Sequence, residues 1–341
     1  MPAPGQPLRS LGFLTIGLFD PQEPRAGHEG TLRLIELGER LGLDSAWLRH
    51  RHLQHGISSP VAVLAAASQR TERIQLGTAV TPLAWENPLR LAEDLATVDV
   101  LSGGRLNPGV SVGPPMRWDD VKESLYPGTA DVEDFSYERV LRLVRFLAGG
   151  RASSFRGTQG IEEFSDVVQP HAAGLAARLW YGAGSLRSAA WTGEQGLNLL
   201  TSSVVKAPGD GSHEFAQVQR AQIEAYRAAH PDPSRARVSQ GLVVIPTDSA
   251  TPEQVARYES YAAARLPRTR EPQGPARMMF ERDLVGSSAQ IAEQLYAHAG
   301  FVAADEVVFA LSFSFEQDDY VQILTDLAQG LGPALGWRPA G

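Results

Sequence analysis

The chain has 341 residues, no cysteine and a formal net charge of −8. Disulfides, thiolate catalysis and cysteine-bound metals are thereby excluded, and the negative balance argues against a general nucleic-acid binder. No apolar run nears the ~20 residues that cross a bilayer, and MPAPGQPLRSLG has no apolar core of a signal peptide, so the expectation is a soluble cytoplasmic enzyme without membrane contact.

Taken in order, the pattern predicts a strand over 11–18 and a helix over 28–41, with Leu34, Leu37 and Leu41 on one side and Gly42 at its end. A short strand over 44–48 runs at once into Arg49-His50-Arg51-His52. Ser59-Pro60 is a cap followed by proline and opens a helix to about Arg70. Residues 73–80 form a third strand, mostly β-branched or apolar. Asn87 caps the next helix, Pro88 occupies its first position, and Leu91, Leu95 and Val98 recur at i, i+4 and i+7. Gly103 and Gly104 stop it, and residues 105–112 return as a strand. A crossover helix between two strands makes them parallel.

Residues 114–136 are rich in proline, glycine and acids and show no clean period; so long a loop is read as a functional insertion that lines the pocket. A helix over 137–147 follows, then an irregular excursion over 151–177 with a small hairpin. Strands over 178–183, 196–202, 237–245 and 305–311 alternate with helices over 185–195, 213–230, 251–264, 287–300 and 316–330. Residues 266–284, rich in proline and arginine with adjacent Met278 and Met279, read as a mobile lid. Eight strands, each followed by a helix, predict a (β/α)8 TIM barrel with inserted loops, a single domain over 1–341. A doubly wound open sheet is the alternative.

Such barrels carry their chemistry on the loops after the strands. Gly182-Ala183-Gly184-Ser185-Leu186-Arg187-Ser188 brings glycines and two hydroxyls one turn apart to a helix N-terminus, a phosphate site unless Ser185 is a plain cap. Gly77-Thr78-Ala79-Val80 leaves room for a flat ring against backbone, or serves tight barrel packing. His50-Arg51-His52, with His55 beyond, suits proton transfer. An HxH after a strand also fits a metal-dependent barrel hydrolase, but His171 and His213 lie elsewhere and the ligand set is incomplete, so no metal is assigned; histidines without a role are the plain alternative. Gly109-Val110-Ser111-Val112-Gly113 sits on a strand and runs into Pro114-Pro115, so it is not a dinucleotide fingerprint.

Against this background LGTAVTPLAWENPLRLAEDLATVDVLSGGRLNPGVSVG resembles the most recognisable segment of the bacterial luciferase-like flavin-dependent monooxygenases. LGLDSAWLRHRH is similar to that family's second strand with its histidine-bearing end. LWYGAGSLRSAAWTGEQGLNLL is similar to its fifth strand and phosphate-binding helix, and DEVVFALSFSFEQDDYVQILTDLAQGLGPALGW to its C-terminal strand and helix. The likeness spans nearly the whole chain, and the run Asp99-Val100-Leu101-Ser102-Gly103-Gly104-Arg105 is its most specific part.

The resemblance implies a barrel enzyme that binds reduced FMN, supplied by a separate flavin reductase, and uses dioxygen to oxygenate a small organic or secondary-metabolite substrate. It implies that Thr78, Ala79 and Val80 lie beside the flavin ring, with a cis peptide at Ala79–Val80. It also implies that Gly184, Ser185, Leu186 and Ser188 form the phosphate turn, and that Ser111 stands where some members carry a reactive cysteine. It implies a homodimer through the second and third helices. Two departures stand out. The family's Glu-His-His is here His50-Arg51-His52, with Arg51 at the catalytic histidine's place; a guanidinium stays charged and is no base near neutral pH. Either His50 or His52 takes that role, or Arg51 acts electrostatically. Val112 stands where luciferases place an arginine that contacts phosphate, and Arg187 or Arg117 is the candidate replacement. Light emission is therefore not the expected task. A deazaflavin-dependent oxidoreductase, whose cofactor carries a long acidic tail, and a non-catalytic flavin-binding protein remain the alternatives.

Overall fold

The computed structural model describes residues 2–209 and 214–339. Its barrel strands are β1 (Leu11–Thr15), β2 (Ser45–Leu48), β3 (Gln75–Thr78), β4 (Leu106–Asn107), β5 (Trp180–Gly182), β6 (Asn198–Thr201), β7 (Val238–Gln240) and β8 (Glu306–Ala310). Successive strands pair in parallel, and β8 returns to β1 with Leu11 opposite Val307 and Phe13 opposite Phe309. A sheet whose last strand pairs with its first has no free edge, so the fold is a (β/α)8 barrel and not the open sheet.

Two neighbouring strands are broken where the sequence predicts continuous ones. After β3 the peptide Ala79–Val80 is cis, as the resemblance implies, and the strand resumes as Thr81–Pro82. After β4 it resumes as Gly109–Ser111, so that Thr81 pairs with Val110 and Gly109 with Trp180. Thr78 holds the two breaks together: its hydroxyl donates to the Gly109 carbonyl at 2.8 Å and accepts the Gly109 N–H at 2.9 Å. Only glycine fits opposite, because a Cβ on Gly109 would lie 2.1 Å from the Thr78 carbonyl oxygen.

The barrel interior is plugged by Trp47 and Trp180, edge to face at 5.8 Å, with Leu14, Leu200 and Val308 above them. Gly77 makes room, since a Cβ there would meet the Trp47 ring at 2.3 Å. Outside the sheet run the helices α1 (Pro24–Arg40), α2 (Pro60–Ser68), α3 (Pro88–Leu101), α4 (Trp118–Leu125), α5 (Glu138–Leu147), α6 (Leu186–Glu194), α7 (Phe215–Ala229), α8 (Pro252–Arg265), α9 (Ser288–Ala297) and α10 (Gln317–Asp326). They bury one apolar face against the strands and make the main core. Asn87 caps α3 by accepting from the Leu89 N–H at 2.9 Å, and Thr251 caps α8 in a box with Gln254. The predicted helix start at His213 lies outside the described residues. Among the described residues no helix is long and apolar enough to cross a membrane.

The Asp99–Arg105 run is a structural clamp. Arg105 is buried and makes five hydrogen bonds of 2.7–3.0 Å, four to the carbonyls of Ser68, Thr71, Ile74 and Ser102 and one to the Thr71 hydroxyl. It thereby ties the end of α2 to the end of α3. Asp99 holds Arg178 with two bonds of 2.7 and 2.8 Å just before β5.

The two insertions differ from their expected form. Residues 114–136 are not structureless: α4 lies within them, and Trp118, Tyr126 and Phe135 pack on one another while the Tyr126 hydroxyl reaches the Ala84 carbonyl at 2.8 Å. The segment 266–284 is pinned at its C-terminal part. Met278–Phe280 pairs antiparallel with Val204–Lys206, and Leu284–Gly286 runs parallel to Val244–Pro246, into which the predicted 237–245 strand splits after Gly241. The 151–177 excursion carries a hairpin, Gly157–Gln159 against Glu162–Phe164.

Candidate active site

The mouth at the C-terminal ends of the strands encloses a cavity of about 370 Å³. Leu14, Leu200 and Val308 are its floor and rest on the two tryptophans. Ala79 and Val80 form one wall, at the break after β3. Gly182 lies beside Val80, and a Cβ there would come within 2.8 Å of a Val80 methyl, so the glycine keeps the wall flat. The polar rim is Arg49, His50 and Arg51 from the end of β2, with Ser111 from the end of β4. Met278 of the 266–284 segment also lines the cavity.

A second hollow of about 460 Å³ shares Gly182, Gly184 and Met278 with the first and continues to Ser185, Ser188, Arg187 and Lys206. Here α6 begins. Ser185 and Ser188 form a reciprocal capping box, Ser185 Oγ taking the Ser188 N–H at 3.2 Å and Ser188 Oγ taking the Ser185 N–H at 3.1 Å. Their hydroxyls lie 2.9 Å apart. Lys206 is carried to this turn by its own N–H, which donates to the Gly184 carbonyl at 2.6 Å. Arg187 and Lys206 are exposed and have no ion pair among the described residues. Two free cations, two hydroxyls and a positive helix end are a donor set for a phosphate, and they fit one. A further groove of about 660 Å³ runs on from Ser185, Arg187 and Lys206 between α6 and α7.

The rim is electrostatically unusual. His50 is 6 % exposed, and burial, with a smaller contribution from His52, pushes its pKa down to about 3. Its Nδ1 is buried without a partner among the described residues. His52 is lowered by burial as well, stacks on Trp85 at 4.0 Å and does not line the cavity. Both imidazoles are therefore neutral near pH 7. Arg51 donates to the His50 carbonyl at 3.2 Å. Burial depresses Arg49 to about 10, with repulsion from Arg51 and Arg265 adding to it.

A profile described as luciferase-like monooxygenase matches residues 12–304. The chain belongs to the luciferase-like monooxygenase family. Limonene 1,2-monooxygenase of Rhodococcus erythropolis is 40% identical over 93 residues, 27% of this chain and 24% of that protein. An F420-dependent glucose-6-phosphate dehydrogenase of Amycolatopsis mediterranei (strain U-32) is 35% identical over 99 residues, 25% of this chain and 30% of its own. The chain thus spans about a quarter to a third of these curated relatives in its matches. Among solved structures, apo-MsnO8 superposes with a TM-score of 0.71 at 21% identity, covering 97% of this chain and 99% of that one. The FMN complex of the oxygenating constituent of 3,6-diketocamphane monooxygenase from Pseudomonas putida gives 0.65 at 14% identity, covering 95% and 98%. The family therefore has flavin-dependent and F420-dependent members around this chain.

Within this luciferase-like frame the structure brings most of the expected residues together. His50, Arg51, Ala79, Val80, Ser111 and Gly184 line the cavity, and Gly184, Ser185 and Ser188 line the hollow beside it. Thr78 does not reach either; its hydroxyl is spent on Gly109, as described. Leu186 faces the outer groove. At the Val112 departure Arg187 shares the hollow, whereas Arg117 pairs with Asp120 at 2.8 Å and is not there. Residues 114–134 line neither space; of that insertion only Phe135 and Ser136 do, because α4 folds the rest onto itself. The sequence reading missed Arg49 and Lys206 as site residues, whereas Met278 comes from the segment read as a lid. Arg49 directly follows a strand, a position that marked it; Lys206 and Met278 arrive through pairing that no local pattern announces. Among the described residues no group of three or more histidine, aspartate or glutamate side chains is placed to hold a metal ion.

Proposed function

We propose that this chain is the oxygenase of a two-component flavin monooxygenase, taking reduced FMN from a separate reductase and using dioxygen to oxygenate a small organic substrate. One observation carries the reading. A single trough runs from the flat Ala79–Val80 and Gly182 walls to the Ser185–Ser188 turn with Arg187 and Lys206, a ring site and a phosphate site joined at Gly184. The limonene monooxygenase and the FMN-bound 3,6-diketocamphane monooxygenase support the same chemistry by their names.

Reduced FMN, when bound, supplies the electrons that activate dioxygen. The residues of the chain do the rest. Arg187, Lys206, Ser185, Ser188 and the first N–H groups of α6 hold the phosphate. Ala79, Val80 and Gly182 support the ring, with Ser111 alongside. His50 is kept neutral by its burial and offers one imidazole nitrogen as acceptor or donor, while His52, stacked on Trp85, stands outside the cavity. Arg51 stabilises negative charge at the mouth and is no base. Met278 and its segment exclude water.

A second reading, a deazaflavin-dependent oxidoreductase, is favoured by the same two cations and by the 660 Å³ groove beyond them, which has room for a longer acidic tail. Anaerobic titration with reduced FMN and with reduced deazaflavin separates the two. Tighter binding of FMN, followed by substrate-dependent oxygen uptake, is expected. The reverse order favours the deazaflavin enzyme, and binding of neither ends both readings.

A further inference from the structure

The rim of the cavity holds more positive charge than the cofactor's phosphate accounts for. Arg49 and Arg51 line the cavity, Arg265 lies beside Arg49, and Arg268 lies next to Arg265. Arg49 and Arg51 follow β2, and Arg265 and Arg268 lie at the end of α8 and the start of the 266–284 segment. Phe313, after β8, is their common plate: the guanidinium carbons of Arg49, Arg51 and Arg265 lie 5.6, 5.6 and 5.5 Å from its ring centre. Arg268 stacks on Phe280 at 4.4 Å.

Their counter-charge is short. Asp283, whose side chain is 1 % exposed, pairs with Arg265 through two oxygens, one at 3.2 Å. Arg49 has neither a side-chain hydrogen bond nor an ion pair among the described residues, and Arg51 reaches only the His50 carbonyl. Arg268 leaves a buried Nε without a partner. A buried charge without a partner costs several kcal/mol, and like charges beside it add to that cost. Guanidinium groups do not escape by losing a proton near neutral pH. A fold that holds such a group against a cavity is built for an anion that arrives from outside.

We propose that Arg49 and Arg51, backed by Arg268, bind the negatively charged head of the substrate, a carboxylate or an equivalent small anion, while its apolar body lies on Leu14, Val308 and Met278. The phosphate turn at Ser185 has its own cations, so the two anions do not share a site. What the bound acid is for rests on the flavin reading; that an acid binds does not.

The test uses the full chain and matched pairs of probes that differ only in charge: acetate and acetamide, benzoate and benzamide, cinnamate and cinnamamide. Calorimetric or NMR titration is run on the protein alone and again with saturating FMN. At least one carboxylate is expected to bind about tenfold tighter than its amide, a difference of about 1.4 kcal/mol. Arg49→Gln erases the difference and Arg49→Lys keeps part of it, on the protein alone and with saturating FMN alike. If Arg49→Gln does not fold, Arg51→Gln reads the same preference from a less buried position on the same rim. Equal binding within every pair overturns the proposal. So does a preference that survives in these Gln variants, or displacement of the carboxylate by FMN, which assigns the arginines to the cofactor. Carboxylate preference without any flavin affinity removes the flavin reading and leaves the anion site standing; flavin affinity without carboxylate preference does the opposite.

Discussion

At the scale of single residues, the phosphate turn separates two kinds of group that the sequence shows as equals. Ser188 is buried and its hydroxyl already serves the α6 cap, donating to the Ser185 carbonyl at 3.0 Å and accepting the Ser185 N–H at 3.1 Å. Lys206 is exposed and unpaired among the described residues. Lys206→Gln is therefore expected to weaken FMN by about 1–2 kcal/mol with an unchanged melting temperature. Ser188→Ala is expected to lower both, the cap alone being worth about 1 kcal/mol. Fluorescence titration beside thermal melts reads the split; a Lys206→Gln protein with wild-type FMN affinity removes the lysine from the site. His50 makes a different claim. Its folded pKa of about 3 lies below the ordinary 6.5, so between those values the unfolded chain binds a proton that the folded chain does not. Its contribution is fully present above about pH 6.5 and is lost as pH falls toward 3. By pH 4 the loss from this residue is about 2–4 kcal/mol. Urea unfolding of His50→Asn and wild type from pH 7 to pH 4 checks this, and parallel pH slopes refute it.

At the scale of elements, most of the barrel was legible because each strand carries its own apolar run and each helix its own stripe and cap. Asn87 before Pro88 and Ser185 at the start of α6 cap the helices they were read to cap, and Thr251 caps the helix read to begin with it. The misreadings are places where distant chain decides. The breaks in β3 and β4 depend on Thr78 meeting Gly109, 31 residues away. The short helix α4 has too few residues to show a period, and what holds it is Trp118 against Phe135 at 5.0 Å and Arg139 across Tyr126. α1 begins at Pro24, earlier than the leucine spacing shows, because proline at a first helical position needs no apolar neighbour. The site follows the same division. The glycine-serine turn and the small residues at Ala79 are local signals. The arginine cluster is not, since Arg49, Phe313 and Arg265 meet only when the ends of β2, β8 and α8 are brought together.

At the scale of the whole molecule, the outer wall carries a face that the barrel itself does not cover. α2 reads PVAVLAAAS, without a single charge; Ala62 and Ala66 are exposed, and Val61, Val63 and Ala65 are half-buried. Beside it, at the end of α3, Val100 and Leu101 are 55 % and 51 % exposed, and Gln69 joins the two ends by donating to the Leu101 carbonyl at 3.2 Å. A contiguous apolar patch of this kind marks a protein interface, and on a single-chain enzyme the simplest partner is a second copy related by a two-fold axis. The patch lies on the outside of the barrel, away from the mouth, so pairing through it leaves both cavities open. Light scattering at micromolar concentration is expected to give a mass near twice 36.8 kDa. A charge at the centre of the face tests the surface itself: Ala62→Arg and Ala66→Glu each shift the protein to monomer while FMN affinity holds, because neither residue touches the trough. A wild-type monomer, or a dimer that both substitutions leave intact, means that α2 and α3 are not the interface.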